Sequence, residues 1–76
     1  MSEEWGMKNV TGKKIKEMRE SMRISQKTMV EMINKLGHSM TPSTISKIEM
    51  GKRGVSDVEL LSFAQIYSCT IDSFFS

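Results

Sequence analysis

Apolar residues recur at three- and four-residue spacing along most of the chain, which is the periodicity of amphipathic helices. The first such run follows Thr11, a suitable N-cap, and continues to Met22. A second helix is predicted to start at Ser25 and to stop at Gly37, because serine favours helix N-termini and glycine favours helix ends. The apolar side of this second helix consists of Met29, Val30, Met32, Ile33 and Leu36.

Three more helices are predicted in the second half of the chain. Thr41 caps the third helix, Pro42 occupies its first position, where a missing N–H costs nothing, and Gly51 ends it. Ser56 caps a fourth helix with acidic residues in its first turn, and Thr70 caps a last short helix. Because no segment reads as a strand, the predicted fold is all-α. We expect a compact five-helix domain over residues 10–76, preceded by a flexible tail at residues 1–9.

Composition excludes several classes of protein and site. No apolar run approaches the roughly 18 residues that span a bilayer, and the polar N-terminus is no signal peptide, so we expect a cytoplasmic protein. One cysteine, Cys69, excludes an internal disulfide and a cysteine-cluster metal site. The single histidine, His38, has no evident second ligand and is interpreted as a surface residue. We therefore expect no metal, no cofactor and no enzymatic activity.

The predicted third helix has two different faces. At about 100° per residue, Ile45, Ile48 and Glu49 fall on one side. The other side carries Ser43, Ser46, Lys47 and Met50. This second side is small, hydroxyl-bearing and basic, which suits contact with base edges and phosphates. A solvated helix surface is the alternative interpretation.

Charge is distributed unevenly along the chain. Residues 1–53 hold all 11 basic and six acidic residues, a net charge of +5, whereas residues 54–76 hold three acidic residues and no basic ones. A basic first part and an acidic last part indicate one side that faces a polyanion and one that faces away from it. Small domains also acquire such asymmetry by chance.

The order of several motifs resembles the Xre, or lambda-repressor-like, helix-turn-helix family. These motifs are I-K-E-M-R-E, S-Q-K-T-M-V, S-T-I-S-K-I-E-M-G-K-R, L-L-S-F-A-Q-I-Y and T-I-D-S-F-F. The resemblance extends from about Gly12 to Phe75, and the I-S-K-I-E-x-G-K-R run is its most specific part. It implies that the second and third helices form the helix-turn-helix and that helix 41–50 enters the major groove of double-stranded DNA.

The resemblance and the charge pattern together nominate site residues. The candidate base contacts are Ser43, Thr44, Ser46 and Lys47. The candidate phosphate contacts are Gln26, Lys27, Lys52 and Arg53, for which an exposed, solvated side chain is the alternative. The resemblance also implies a structural ion pair between Arg19 and Glu49, consistent with a Glu49 carboxylate that points inward and would be costly unpaired.

Two features depart from the commonest form of the family. Fifteen positions separate Val30 from Ile45, about five more than usual, so we expect a longer second helix and a looser connection to the third. Pro42 stands where the family often has a long polar side chain. Base readout would then rest on Ser43, Lys47 and apolar contacts, with a larger share for DNA shape.

The resulting functional hypothesis is a small transcriptional repressor of prokaryotic or phage type. A homodimer would bind a palindromic operator, with its subunits paired through the C-terminal helices. Phe74 and Phe75 cannot both point inward from one short helix, so one should seal the core, and the other should contact the second subunit or else lie partly exposed on a monomer. The alternative hypothesis is a protein-interaction module of the same fold, which binds a toxin or another regulator. A short Gly51–Gly54 match to the GxxG loop of KH domains lacks the strands that such domains need.

Overall fold

The computed structural model describes the backbone of residues 2–75 and the side chains of residues 11–74. This part of the chain forms four α-helices and a C-terminal 3₁₀ helix, with no strand. The α-helices are α1 (Ser2–Ser21), α2 (Gln26–Lys35), α3 (Pro42–Glu49) and α4 (Asp57–Tyr67), and the 3₁₀ helix spans Ile71–Phe75. The predicted all-α fold with five helical segments is therefore confirmed.

Helix α1 begins earlier than the sequence pattern indicates. Thr11, predicted as its N-cap, lies inside the helix and is buried. The pattern places the start too late because no apolar periodicity marks the preceding residues. Since the side chains of residues 1–10 lie outside the described part, the flexible tail at residues 1–9 stays a prediction.

Three helices start at the N-caps that the sequence predicts. In each, a hydroxyl oxygen accepts a backbone N–H three residues later: Ser25 from Thr28 at 3.0 Å, Thr41 from Thr44 at 3.2 Å and Ser56 from Glu59 at 3.2 Å. At α3 and α4 the third residue also bonds back to the cap, so both have a complete capping box. Local chemistry therefore fixes where the third helix begins.

Helices α1, α3 and α4 end in residues with left-handed backbone conformation. These residues are Arg23 (φ 59°), Gly51 (φ 76°) and Ser68 (φ 55°). In each case the next N–H bonds to a carbonyl five residues earlier, which is the Schellman arrangement. Glycine adopts this conformation without penalty, whereas a side chain makes it unfavourable by about 1–2 kcal/mol. Two of the three helix ends are therefore strained.

The core is formed by side chains from all five helical segments. Its fully buried members are Ile15, Met29, Ile33, Ile45, Ile48, Phe63 and Phe74. Phe74 is thus the ring that seals the core, and it is not available as the dimer contact considered for it. The side chain of Phe75 lies outside the described residues, so its dimer contact stays a prediction.

Tyr67 ties α4 to α1 near the aromatic part of the core. Its hydroxyl donates a hydrogen bond to the carbonyl of Ile15 at 3.0 Å. Its ring lies 6.2 Å from the rings of both Phe63 and Phe74. Burial raises the pKa of Tyr67 well above the ordinary tyrosine value. Burial thereby favours the neutral phenol over the phenolate.

Helix α1 crosses the end of α3 at very close range. A methyl group on Gly12 would overlap the carbonyl oxygen of Ile48 and would lie 3.6 Å from that of Glu49. The missing side chain at Gly12 lets the two backbones approach, and α1 thereby sets the position of the last turn of α3. No helix among the described residues is long and apolar enough to cross a membrane.

Candidate nucleic-acid interface

A buried carboxylate holds the C-terminal end of α3 in place. The side chain of Glu49 is only 2% exposed, and it accepts hydrogen bonds from Arg19 Nε at 2.7 Å and Nη2 at 3.2 Å. Gln26 Nε2 donates to the same carboxylate at 3.0 Å. Since Arg19 lies on α1 and Gln26 begins α2, three helices meet at this one group.

The ion pair between Arg19 and Glu49 is part of the scaffold. The hydrogen bonds that Arg19 donates to Glu49 raise the pKa of Arg19 above its usual value. Arg19 Nη1 also donates to the carbonyl of Ile24 at 2.8 Å, which fixes the turn between α1 and α2. Both charges are satisfied in the interior, so the pair stabilises the orientation of α3 without adding charge to the surface.

Gln26 has a structural role that the sequence did not reveal. It was nominated as a phosphate contact, but one of its amide hydrogens bonds to Glu49. A glutamine amide carries a second N–H, which this bond leaves unused. A phosphate contact by Gln26 stays a prediction, and the bond to Glu49 would hold the amide in position for it.

The outward face of α3, formed by Pro42, Ser43, Ser46, Lys47 and Met50, carries no acidic residue. Ser46 is half-buried, and the other four residues are exposed. Glu49, the only acid of the helix, points to the opposite side. The outward face therefore combines two hydroxyls, one ammonium group and apolar surface, as the periodicity predicts. These groups can donate to base edges and contact their apolar atoms.

Thr44 lies apart from the outward face. Its hydroxyl accepts the backbone N–H of Thr41 at 3.3 Å and pairs with the Thr41 hydroxyl at 3.1 Å. The side chain is half-buried and completes the capping box of α3. A base contact by Thr44 stays a prediction, and the geometry favours a structural role.

The connection between α2 and α3 was expected to be loose, but it is anchored at two points. Asn34 Nδ2 donates to the carbonyl of Met40 at 2.9 Å, and Met40 N donates to Asn34 Oδ1 at 2.8 Å. His38 Nε2 lies 2.8 Å from Ser62 Oγ on α4, so this histidine is not the free surface residue expected from the sequence. Met40 is buried as well. The longer turn thus presents α3 at a defined angle.

Basic residues flank the outward face of α3. Lys27, near the start of α2, and Lys52, just after α3, are both exposed. The backbone N–H groups of Lys52 and Arg53 donate to the carbonyl of Lys47 at 2.8 and 3.2 Å. The loop after α3 therefore folds back on the last turn of the helix, which keeps Lys52 close to Lys47 along the chain's path.

Arg53 is paired within the protein. Its Nη1 and Nη2 donate to the two carboxylate oxygens of Glu59 at 3.1 and 2.9 Å, and Nη1 also donates to the carbonyl of Gly54 at 3.0 Å. The hydrogen bond from Arg53 lowers the pKa of Glu59. The side chain of Arg53 remains 39% exposed, and these bonds leave its Nε–H and one Nη2–H unused. That remaining pair of donors suits a phosphate, although the contact stays a prediction.

Sequence reasoning missed four features that shape this region: the Gly12 crossing, the Asn34 and Met40 bonds, the Gln26 bond to Glu49 and the Arg53 pair with Glu59. Of these four, only the pair of Arg53 with Glu59 had a signal in the nearby sequence, since Glu59 is also the third residue of the capping box of α4. Among the described residues, no group of three potential ligands is placed to hold a metal ion. The exposed hydroxyls and cations of this region suit binding to a polyanion.

Comparison with known proteins agrees with this geometry. A family model described as helix-turn-helix matches residues 15–74, which include the whole of α2, α3 and α4. No curated protein and no solved structure matches the chain. The matched range covers most of the chain, and the motif order that resembles the Xre type falls within or beside it. The chain therefore belongs to the Xre, or lambda-repressor-like, helix-turn-helix family, whose members are regulators that bind double-stranded DNA.

Proposed function

We propose that this chain is a small transcriptional repressor that places α3 in the major groove of a palindromic operator and binds it as a homodimer. The observation that carries the proposal is the division of α3 into two faces. Glu49 and the apolar residues point into the protein, and the outward face presents hydroxyls and the Lys47 ammonium group. A helix so divided can contact bases while its other side holds it to the scaffold.

Lys47 is the proposed principal base reader. It is exposed in the last turn of α3, and a lysine donates well to the O6 and N7 acceptors of guanine. Ser43 and Ser46 are the proposed secondary readers, with hydroxyls that can donate or accept. Because Pro42 has no donor, we expect moderate base discrimination and a contribution from DNA shape.

Lys27, Lys52 and Arg53 are the proposed phosphate contacts, with Gln26 beside them. Lys27 lies near the start of α2, and Lys52 and Arg53 follow the end of α3, which the bond from Gln26 to Glu49 brings close to the start of α2. From there they would fix the position of α3 along the duplex. Each contact releases a counterion, so removing one should reduce the slope of log affinity against log salt by about 1 per subunit. Such a regulator would act in the cytoplasm, on the nucleoid.

Selection from a randomised duplex library tests the proposal directly. Wild-type protein should enrich a palindromic sequence. Lys47→Ala should reduce this enrichment or reduce the base preference at one position in each half-site. Lys35→Ala is a matched control, because Lys35 is also an exposed lysine and lies at the far end of α2. Enrichment unchanged by Lys47→Ala would exclude Lys47 as a reader, and no enrichment with wild type would refute operator recognition.

A protein-interaction module is the second candidate, because α4 exposes apolar residues. Val58 and Leu61 are 65% and 59% exposed and lie one turn apart on the side away from the core. Under this alternative, Val58→Ser and Leu61→Ser would abolish binding of the protein partner, and Lys47→Ala would leave that binding intact. Size-exclusion chromatography of both variants, beside the DNA titration, separates a partner surface from a base-reading surface.

A further inference from the structure

Met50 is an exposed apolar residue on the outward face of α3. Its side chain is 57% exposed, whereas Met29 and Met40 are buried in the core. By helical periodicity it lies near the middle of the outward face, between Ser46 on one side and Ser43 on the other. The position next to the proposed base readers is therefore occupied by a thioether that is more than half exposed.

The placement of Met50 is fixed by the end of the helix. Its N–H donates to the carbonyl of Ser46 at 3.0 Å, and its φ and ψ of −87° and −1° remain close to helical values. Gly51 follows with a positive φ and turns the chain away. The side chain thus projects from the same surface as Lys47, with no acidic group on that surface to favour water around it.

The major groove presents one methyl group to such a side chain, the C5-methyl group of thymine, which is the usual partner of apolar side chains there. A flexible, polarisable methionine can adapt to a methyl group at the edge of the groove. We propose that Met50 is a specificity-determining residue, which packs on the C5-methyl group of one thymine in each half-site. The inference rests on the proposed operator binding and deepens it.

The magnitude follows from the chemistry of a single methyl group. Burial of one such group contributes about 0.8 kcal/mol, which corresponds to a change of about fourfold in affinity for each half-site. Lys47 reads acceptors and would be indifferent to the methyl group. The signature of Met50 is therefore a preference for thymine over uracil at one position, where the two bases differ only by that methyl.

Uracil scanning of the selected operator tests the inference. Each thymine is replaced by uracil in turn, and affinities are measured for wild type, Met50→Ala, Met50→Gln and Met50→Leu. Wild type should lose about fourfold per half-site at one thymine, Met50→Leu should retain part of this loss, and the alanine and glutamine variants should show none. Leu61→Ala is the control for an equally exposed apolar residue elsewhere, and it should keep the wild-type preference.

The possible outcomes separate the inference from the function that it rests on. If an operator is enriched but no thymine distinguishes wild type from Met50→Ala, Met50 does not read a methyl group, and operator recognition stands. If no operator is enriched at all, both proposals fall together. Met50→Gln keeps the length of the side chain, so a loss of thymine preference in this variant alongside an unchanged melting temperature cannot be attributed to misfolding.

Discussion

Gly12→Ala sets two physical effects of opposite sign against each other. Helix propensity alone favours alanine over glycine by about 1 kcal/mol inside a helix. In this fold the added methyl would overlap the carbonyl oxygen of Ile48, a backbone atom that cannot rotate away. Overpacking of this kind destabilises a protein by about 1–3 kcal/mol, and contact with backbone belongs at the upper end. We expect a net loss of about 2 kcal/mol, which lowers the Tm of a domain this size by roughly 8–16 °C.

Thermal and urea unfolding followed by circular dichroism measure this effect. Lys13→Ala, at the next position of α1, is an exposed control and should change the free energy of unfolding by less than about 0.5 kcal/mol. Because the methyl presses on the last turn of α3, Gly12→Ala should also bind operator DNA more weakly at temperatures where it is folded. A Gly12→Ala variant as stable as wild type would refute the close crossing of α1 and α3.

Three further predictions concern charge and backbone strain. Glu49→Ala leaves the Arg19 side chain, which is only 11% exposed, without its carboxylate partner, so it should reduce the free energy of unfolding in urea by about 3–5 kcal/mol; a loss below about 1 kcal/mol would contradict the network. Arg23→Gly removes a side chain from a residue whose backbone is left-handed, so it should raise the free energy of unfolding by about 0.5–1 kcal/mol. Any decrease would show that the strain is absent. Because the pKa of Glu59 is lowered in the folded state, its contribution to folding stability is present above the ordinary glutamate pKa and is lost as pH falls through the lowered value. Glu59→Gln should thus destabilise the domain at pH 7 by no more than about 1 kcal/mol, because its partner is partly exposed, and the difference should vanish in acid.

The helices and their N-caps could be predicted because their determinants are local. A cap at Ser25, Thr41 or Ser56 involves only the next three residues, so the signal is contained in a short window of sequence. Periodicity likewise assigned Glu49 to the inner side of α3 and Lys47 to the outer side. For the same reason the start of α1 was misplaced, since no cap or periodicity marks it.

Contacts between distant residues could not be predicted in this way. Arg19 and Glu49 are 30 positions apart, and the resemblance to a family suggested their pairing, whereas Gln26 joining them depends on the angle between α2 and α3. The closeness of α1 to α3 at Gly12 is also a property of the assembled fold, because a helical glycine has the same local sequence signal whether or not a neighbour approaches it. Predicting either contact requires the relative positions of the helices in the folded domain.

The two-sided construction of α3 bears on how such a protein can change its target. Every residue on the outward face lies outside the buried core, and the bonds that orient the helix come from Glu49, the Thr41 cap and the Met40 turn. If α3 reads the operator as proposed, substitutions at Ser43, Lys47 or Met50 should alter which operator is preferred and leave the folded state almost unaffected. The proposed DNA specificity could then evolve without loss of stability, because the residues proposed to contact bases differ from the residues that hold α3 in the fold.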